Sequence, residues 1–247
     1  NYLTLSPQQG MQYIYIIHSS HMLAYAAMMS GREKEAMSAA RHMWEQTPDA
    51  VIAKIGPVFD RWMCSAYDVQ TRFGRWDESI AEPAPPATLP VTTAIWRAHR
   101  AVAFAAKKDF ANAEIEYTAF RNARSSIPMA ALEMGGMDDR FLQVSDLFIR
   151  GEIALQKEKW ELATELLTDA ATIESTLAYG EPPQWLQPIR HTLGAVYLAT
   201  NQHAKAEQCY REDLEKCSKI ALSSFFAKIG VDTAENEPRK GFEKRIL

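Results

Sequence analysis

The chain has 247 residues, 47% of them apolar and 23% charged, and a formal net charge of −4 from 27 basic and 31 acidic side chains. That composition excludes a disordered chain, and with no basic block along its length it excludes a nucleic-acid binder. Its longest apolar runs, such as MLAYAAMM at 22–29, fall far short of the ~20 residues that cross a bilayer, so no membrane span is expected. Cys209 and Cys217 stand eight residues apart on one expected helix, a rise of about 12 Å, beyond the ~7 Å reach of a disulfide. With Cys64 they read as free thiols of a cytoplasmic protein. Because the sequence opens at Asn1 rather than Met, it is expected to belong to a longer chain.

In chain order, the first expected helix opens at SPQQ, with Ser6 as N-cap, Pro7 at the first helical position and Gln9 completing a capping box. It begins the first of five helix pairs, each a helix, a short turn and a second helix. In every pair a residue of the first helix is matched by one twelve positions later, and in four pairs both are small. The matches are Ala24 with Ala36 in LAYAAMMSGREKEA, Ala101 with Ala113 in RAVAFAAKKDFANA, Gly151 with Ala163 in RGEIALQKEKWELA and Gly194 with Ala206 in LGAVYLATNQHAKA; a degenerate copy, YDVQTRFGRWDES, has Tyr67 and Ser79. Small residues let two helix backbones approach, while large ones such as Phe104, Tyr117, Tyr197 and Tyr210 fill the space beside them. Pro48 stops the second helix of the first pair. EPAPPATLP (82–90) is a polyproline-like bridge, SIPMAALEMGGMDDR (126–140) an irregular insertion, and LAYGEPPQWLQP (177–188) a Pro-rich turn anchored by Trp185. The pairs are expected near 7–47, 57–81, 92–124, 141–174 and 187–217, with a capping pair over 219–247, all within one unit spanning 1–247.

The second-helix markers fall at 36, 79, 113, 163 and 206, spaced by 43, 34, 50 and 43 residues. A spacing of 34 is the tetratricopeptide (TPR) period, and over about residues 10–218 the chain resembles tetratricopeptide repeat proteins. Within them it is similar to a bacterial group carrying an His-Asn-x-His-Phe element and a Glu-Pro-Pro-x-Trp-x-x-Pro-x-Arg-His-x-Leu-Gly element, which here read HSSHM (18–22) and EPPQWLQPIRHTLG (181–194); FGRWDESIAEPAP (73–85) also resembles that group. The first element departs at Ser19 and Met22. The resemblance implies an all-α, right-handed superhelical solenoid of antiparallel helix pairs, a scaffold that binds a protein or peptide segment in a concave groove lined by the first helix of each pair.

In such arrays the groove positions lie six and three residues before the small residue and one and four after it. Those offsets select His18, His21, Tyr25 and Met28; Arg61, Cys64, Asp68 and Thr71; Ile95, Ala98, Val102 and Ala105; Ser145, Phe148, Glu152 and Leu155; and Pro188, His191, Ala195 and Leu198. The polar members His18, His21, Tyr25, Arg61, Asp68, Glu152 and His191 form the expected ligand groove. His18 and His21 lie one helical turn apart on a shared face. Three readings of the histidines stand side by side: structural imidazoles, contacts to a peptide or anionic ligand, and a transition-metal site of His18, His21, His191 and a carboxylate, Glu152 or Asp68, for Zn, Cu, Fe or Ni. The scaffold reading needs no cofactor and no catalysis, and no nucleophile motif or Gly-rich phosphate loop is present. His42, His99 and His203 fit no such pattern and read as surface or rim. An open solenoid end would also allow a homo-oligomer.

Overall fold

The computed structural model describes residues 10–178 and 180–228, with side chains placed over 13–178 and 180–215. Among these residues every regular element is a helix: α1 (Gly10–Met29), α2 (Glu33–Glu45), α3 (Asp49–Phe59), a 3-10 turn (Asp60–Cys64), α4 (Ser65–Arg72), α5 (Trp76–Ala81), α6 (Pro90–Ala106), α7 (Phe110–Ser125), α8 (Met129–Met134), α9 (Asp139–Gln156), α10 (Trp160–Glu174), α11 (Ile189–Ala199) and α12 (His203–Lys228). No described helix is long and apolar enough to cross a membrane.

The five expected pairs are α1 with α2, α4 with α5, α6 with α7, α9 with α10, and α11 with α12, each packed side by side. One backbone turn makes all five. The middle residue of each three-residue link is left-handed: Gly31, Gly74, Lys108, Glu158 and Asn201, with φ of 72°, 68°, 63°, 56° and 57°. The residue after it donates its N–H five positions back, from Arg32 to Ala27, Arg75 to Gln70, Asp109 to Phe104, Lys159 to Ala154 and Gln202 to Tyr197. This closure satisfies carbonyls that a helix end leaves unpaired. The paired residues lie seven before and five after each left-handed residue, and all ten are buried. A Cβ on Gly151 would come within 2.8 Å of Leu167, and one on Gly194 within 2.5 Å of the Tyr210 ring. Both glycines are therefore demanded by helix contact.

The buried side chains form two cores. One, with Ile17, Met28, Met43, Phe59, Met63 and Leu89, joins the first two pairs; the other runs from Cys64 and Tyr67 through Phe120, Phe141 and Ile149 to Cys209. They meet along the 3-10 turn and α4, whose residues alternate between them: Met63, Ala66 and Val69 face the first, Cys64 and Tyr67 the second. The segment ahead of α11 does the same with two consecutive residues. Trp185 enters the second core and Leu186 the first.

Several details differ from the sequence expectation. The first helix of the second pair is no single helix from residue 57. Pro57 removes a helical donor near the end of α3, and the chain tightens into the 3-10 turn because Asp60 is held by another helix. Its carboxylate accepts the Val91 and Thr92 N–H groups at 2.8 Å each, and the Thr92 hydroxyl at 2.6 Å. Asp60 thus caps α6, whose own flanking residue Leu89 has no side-chain acceptor. The insertion at 126–140 contains α8, closed by Gly136 in the left-handed region. α12 continues through Ser218 to Lys228, so no turn separates the fifth pair from the first part of the expected capping pair. The rest of that pair, the capping box at Ser6 and Gln9, and the Cys217 side chain lie outside the described residues. Cys64 and Cys209 are free thiols.

The bridge at 82–89 is pinned at its first residue. Glu82 receives both Arg41 nitrogens at 2.5 and 2.6 Å and Gln70 Nε2 at 2.6 Å, while its carbonyl accepts Trp96 Nε1 at 3.0 Å. Arg97 and Arg100 both lie against the Trp96 ring and share Glu116. One carboxylate and one indole thus tie α2, α4 and α6 to the bridge.

Candidate functional site

The polar groove positions of the second pair form a buried network. Arg61 Nη1 donates to Asp68 Oδ2 at 3.0 Å, with both residues at most 5% exposed. The other Asp68 oxygen takes His99 Nε2 at 3.3 Å, and His99 Nδ1 pairs with the Thr71 hydroxyl at 2.6 Å. Burial opposes ionisation of Asp68, but Arg61 and His99 outweigh it and hold its carboxyl below the usual range. Burial likewise opposes the Arg61 charge, and Asp68 more than restores it. His99 is therefore not a rim residue; at 4% exposure it completes the carboxylate's shell. Beside it, burial pushes the Cys64 thiol up to about 12, which makes it an inert core group rather than a nucleophile.

The chain's own proline-rich segment lies on this network. Gln184 offers its carbonyl to Arg61 Nε at 3.1 Å, and Gln187 Nε2 donates to the Asp68 carbonyl at 2.8 Å, contacts spanning 123 and 119 residues of sequence. Phe141 carries the Arg61 guanidinium at 5.1 Å on its ring, and Trp185 packs against Phe141 and Phe148 with centroids 5.9 and 5.4 Å away. Trp185 anchors the segment as its position in the sequence suggests, and it does so on Phe148, a buried residue at one of the expected groove offsets.

His18 and His21 come together against Trp62, with ring centroids 5.3 and 5.7 Å away. His21 is 2% exposed and neither ring nitrogen has a partner; His18 Nδ1 has none either. Burial, then repulsion from Arg61, lowers the His21 pKa to about 3, with Asp68 opposing. Further unpartnered buried atoms lie where the proline-rich segment meets Arg61: Arg61 Nη2, Gln184 Oε1 and Trp185 Nε1. Six of the eight such atoms among the described residues belong to these five side chains.

The remaining candidates lie elsewhere. His191 accepts Arg72 Nη1 on Nδ1 at 2.9 Å, so Nε2 carries the ring hydrogen and donates to Asp213 at 3.0 Å. Glu152 bonds to the neighbouring Thr192, and burial raises its carboxyl to about 7. Tyr25 is half-buried against the first core. The structure thus gathers His18, His21, Arg61 and Asp68 at one place, and Glu152 and His191 at another. Of the residues weighed as metal ligands, His18, His21 and Asp68 lie at the first place and His191 and Glu152 at the second, and no group of three or more His, Cys, Asp or Glu among the described residues is arranged to hold a metal ion. Arg72, His99, Asp213 and Gln184 were missed by the groove offsets. A histidine inside the apolar run TTAIWRAHRAVAFAA was the one local signal, and it pointed to His99.

A comparison with known proteins gave no significant match to a family model, a curated protein or a solved structure.

Proposed function

We propose that the chain is a tetratricopeptide-like solenoid that acts as a scaffold, binding a protein or peptide segment along the inner helices of its pairs. The observation that carries this reading is the fivefold recurrence of one turn, at residues 31, 74, 108, 158 and 201, which gives each pair the same internal geometry and makes stacking into a curved array the economical assembly. Inner positions of the first, fourth and fifth pairs keep access to solvent: His18 and Tyr25, then Leu155, then His191, Ala195 and Leu198. They combine aromatic, aliphatic and ionisable groups, the mixture that gives a peptide groove both affinity and register. Photo-crosslinking side chains placed at Tyr25 and Leu198 test the reading in the native cells. A discrete adduct is expected at both, with none at Ile115, which is 64% exposed on an outer helix. Adducts absent from both sites, or equally strong at Ile115, would refute it.

A second reading rests on the unpartnered nitrogens of His18 and His21, which could hold a transition metal if a third donor reached them. Stoichiometric metal in the purified chain, lost in His18→Ala, would establish it.

A further inference from the structure

We propose that the seat formed by Arg61, Asp68, Phe141 and Phe148 is the recognition surface for a proline-bounded segment carrying an aromatic and an aliphatic side chain in succession, and that residues 181–188 are its intramolecular occupant. This deepens the scaffold reading and rests on it.

The argument starts from where the segment sits. EPPQWLQP belongs to no helix, yet its Trp185 and Leu186 side chains are 5% and 1% exposed and enter two different cores. Its polar contacts fall on groove positions of the second pair: the Gln184 carbonyl accepts from Arg61, and the Gln187 side-chain amide donates to the carbonyl of Asp68. Its indole lies on Phe148, a groove position of the fourth. These are the contacts of a bound peptide: an arginine reading a backbone carbonyl, a glutamine fixing register, and two apolar anchors in adjacent pockets. Three prolines in the segment restrict its backbone and lower the entropy cost of seating it.

The fit is incomplete, and that marks the occupant as replaceable. Arg61 Nη2, Gln184 Oε1 and Trp185 Nε1 are all buried at this seat without partners, as is His21 on the facing helix. Each unpartnered group opposes closure, and opening returns it to water. A segment from a partner that supplied acceptors to Arg61 and the indole position would hold the same anchors without that cost. The tethered segment nevertheless competes at a high effective concentration, so a free octapeptide does not displace it from the wild-type chain.

The test uses a blocked synthetic peptide, EPPQWLQP, and the full chain with Trp185→Ala and Leu186→Ala, which empties the seat. The peptide is expected to bind this variant at least tenfold more tightly than wild type, and a peptide with both anchors changed to alanine is expected not to bind. A variant that unfolds cooperatively but binds no peptide at about 1 mM, the weak limit of specific recognition, overturns the proposal. If the variant does not fold, hydrogen exchange of the wild-type chain decides. The amides of Gln184, Trp185, Leu186 and Gln187 are expected to open at lower free energy than those of α9, and exchange only through global unfolding overturns the proposal. Crosslinks at Tyr25 and Leu198 that persist while the peptide fails would leave the scaffold standing and remove this inference alone.

Discussion

The second and third helix pairs place the same four offsets at opposite chemistry. In α6 they are Ile95, Ala98, Val102 and Ala105, all buried and apolar, on one uninterrupted helix; in the second pair they are Arg61, Cys64, Asp68 and Thr71, on a 3-10 turn running into α4. Yet the two pairs turn at Gly74 and Lys108 with φ of 68° and 63°. The turn and the paired residues around it recur in both pairs, whereas the four offset positions are free to vary and decide what the first helix of each pair buries. An apolar set needs only packing. The charged set is held by His99 from α6 and by a segment more than a hundred residues downstream.

The largest expected effect separates these two kinds of inner face. Asp68→Ala leaves Arg61 buried without its counter-ion, which costs about 3–5 kcal/mol, whereas Ile95→Val at the equivalent apolar face costs about 0.5–1.5 kcal/mol. Denaturant unfolding measures both. Asp68→Leu combined with Arg61→Met is expected to recover most of the loss, because two apolar residues remove the stranded charge. Equal losses in Asp68→Ala and Ile95→Val would erase the distinction.

The next effect concerns close contact within pairs. Gly194→Ala forces a methyl onto the Tyr210 ring, only 2.5 Å from its Cζ, with an expected loss of about 1–3 kcal/mol. Gly194→Ala with Tyr210→Leu should regain part of it. This would confirm that the glycine serves packing, since its backbone is an ordinary helical one.

Acid sharpens the comparison through two groups of opposite sign. Below about pH 6.5 the unfolded chain protonates His21 while the folded one, with the imidazole lowered to about 3, does not. Stability therefore falls with acid by up to about 1.4 kcal/mol per pH unit. Glu152 is raised to about 7, so from pH 7 down to its ordinary value the folded chain takes up the proton first and gains stability. Urea midpoints from pH 7.5 to 4.5 should fall more steeply in Glu152→Gln than in wild type, and less steeply in His21→Leu. The reverse ordering would show that one of these environments is misassigned.

Much of this was legible locally. The residues paired twelve apart found all five turns, because a three-residue link fixes both offsets, and that held even where Lys108, Glu158 and Asn201 replace the usual glycine. The offsets also put Arg61 and Asp68 on one face, seven residues and two turns apart. They could not reach what comes from afar. Pro57 is a helix breaker plain in the sequence, but nothing near Asp60 says that it caps α6, so the 3-10 turn at 60–64 was hidden. Nothing near Arg61 says that Gln184 will meet it. His99 looked peripheral because its partner Asp68 belongs to another pair. Local periodicity specifies hairpins; the polar contacts that specialise one of them are made across them.

The smallest expected effect probes the turn itself. Lys108 and Glu158 hold left-handed backbones at φ of 63° and 56°, a conformation that costs a residue with a Cβ roughly 1 kcal/mol relative to glycine. Lys108→Gly and Glu158→Gly lose some unfolded-state restriction, so a net backbone gain of about 0.5 kcal/mol each is expected. Gly31→Ala, at φ 72°, should lose about 1 kcal/mol with nothing within 4 Å for its methyl to touch. Thermal unfolding of Glu158→Gly and Gly31→Ala thus isolates backbone from packing, whereas Lys108→Gly also removes the hydrogen bonds from Lys108 Nζ to Gln156 and gains less. If Gly31→Ala were neutral while Gly194→Ala was costly, the common geometry of the pairs would be imposed by helix contact. The recurrent left-handed residue would then follow from that contact rather than cause it.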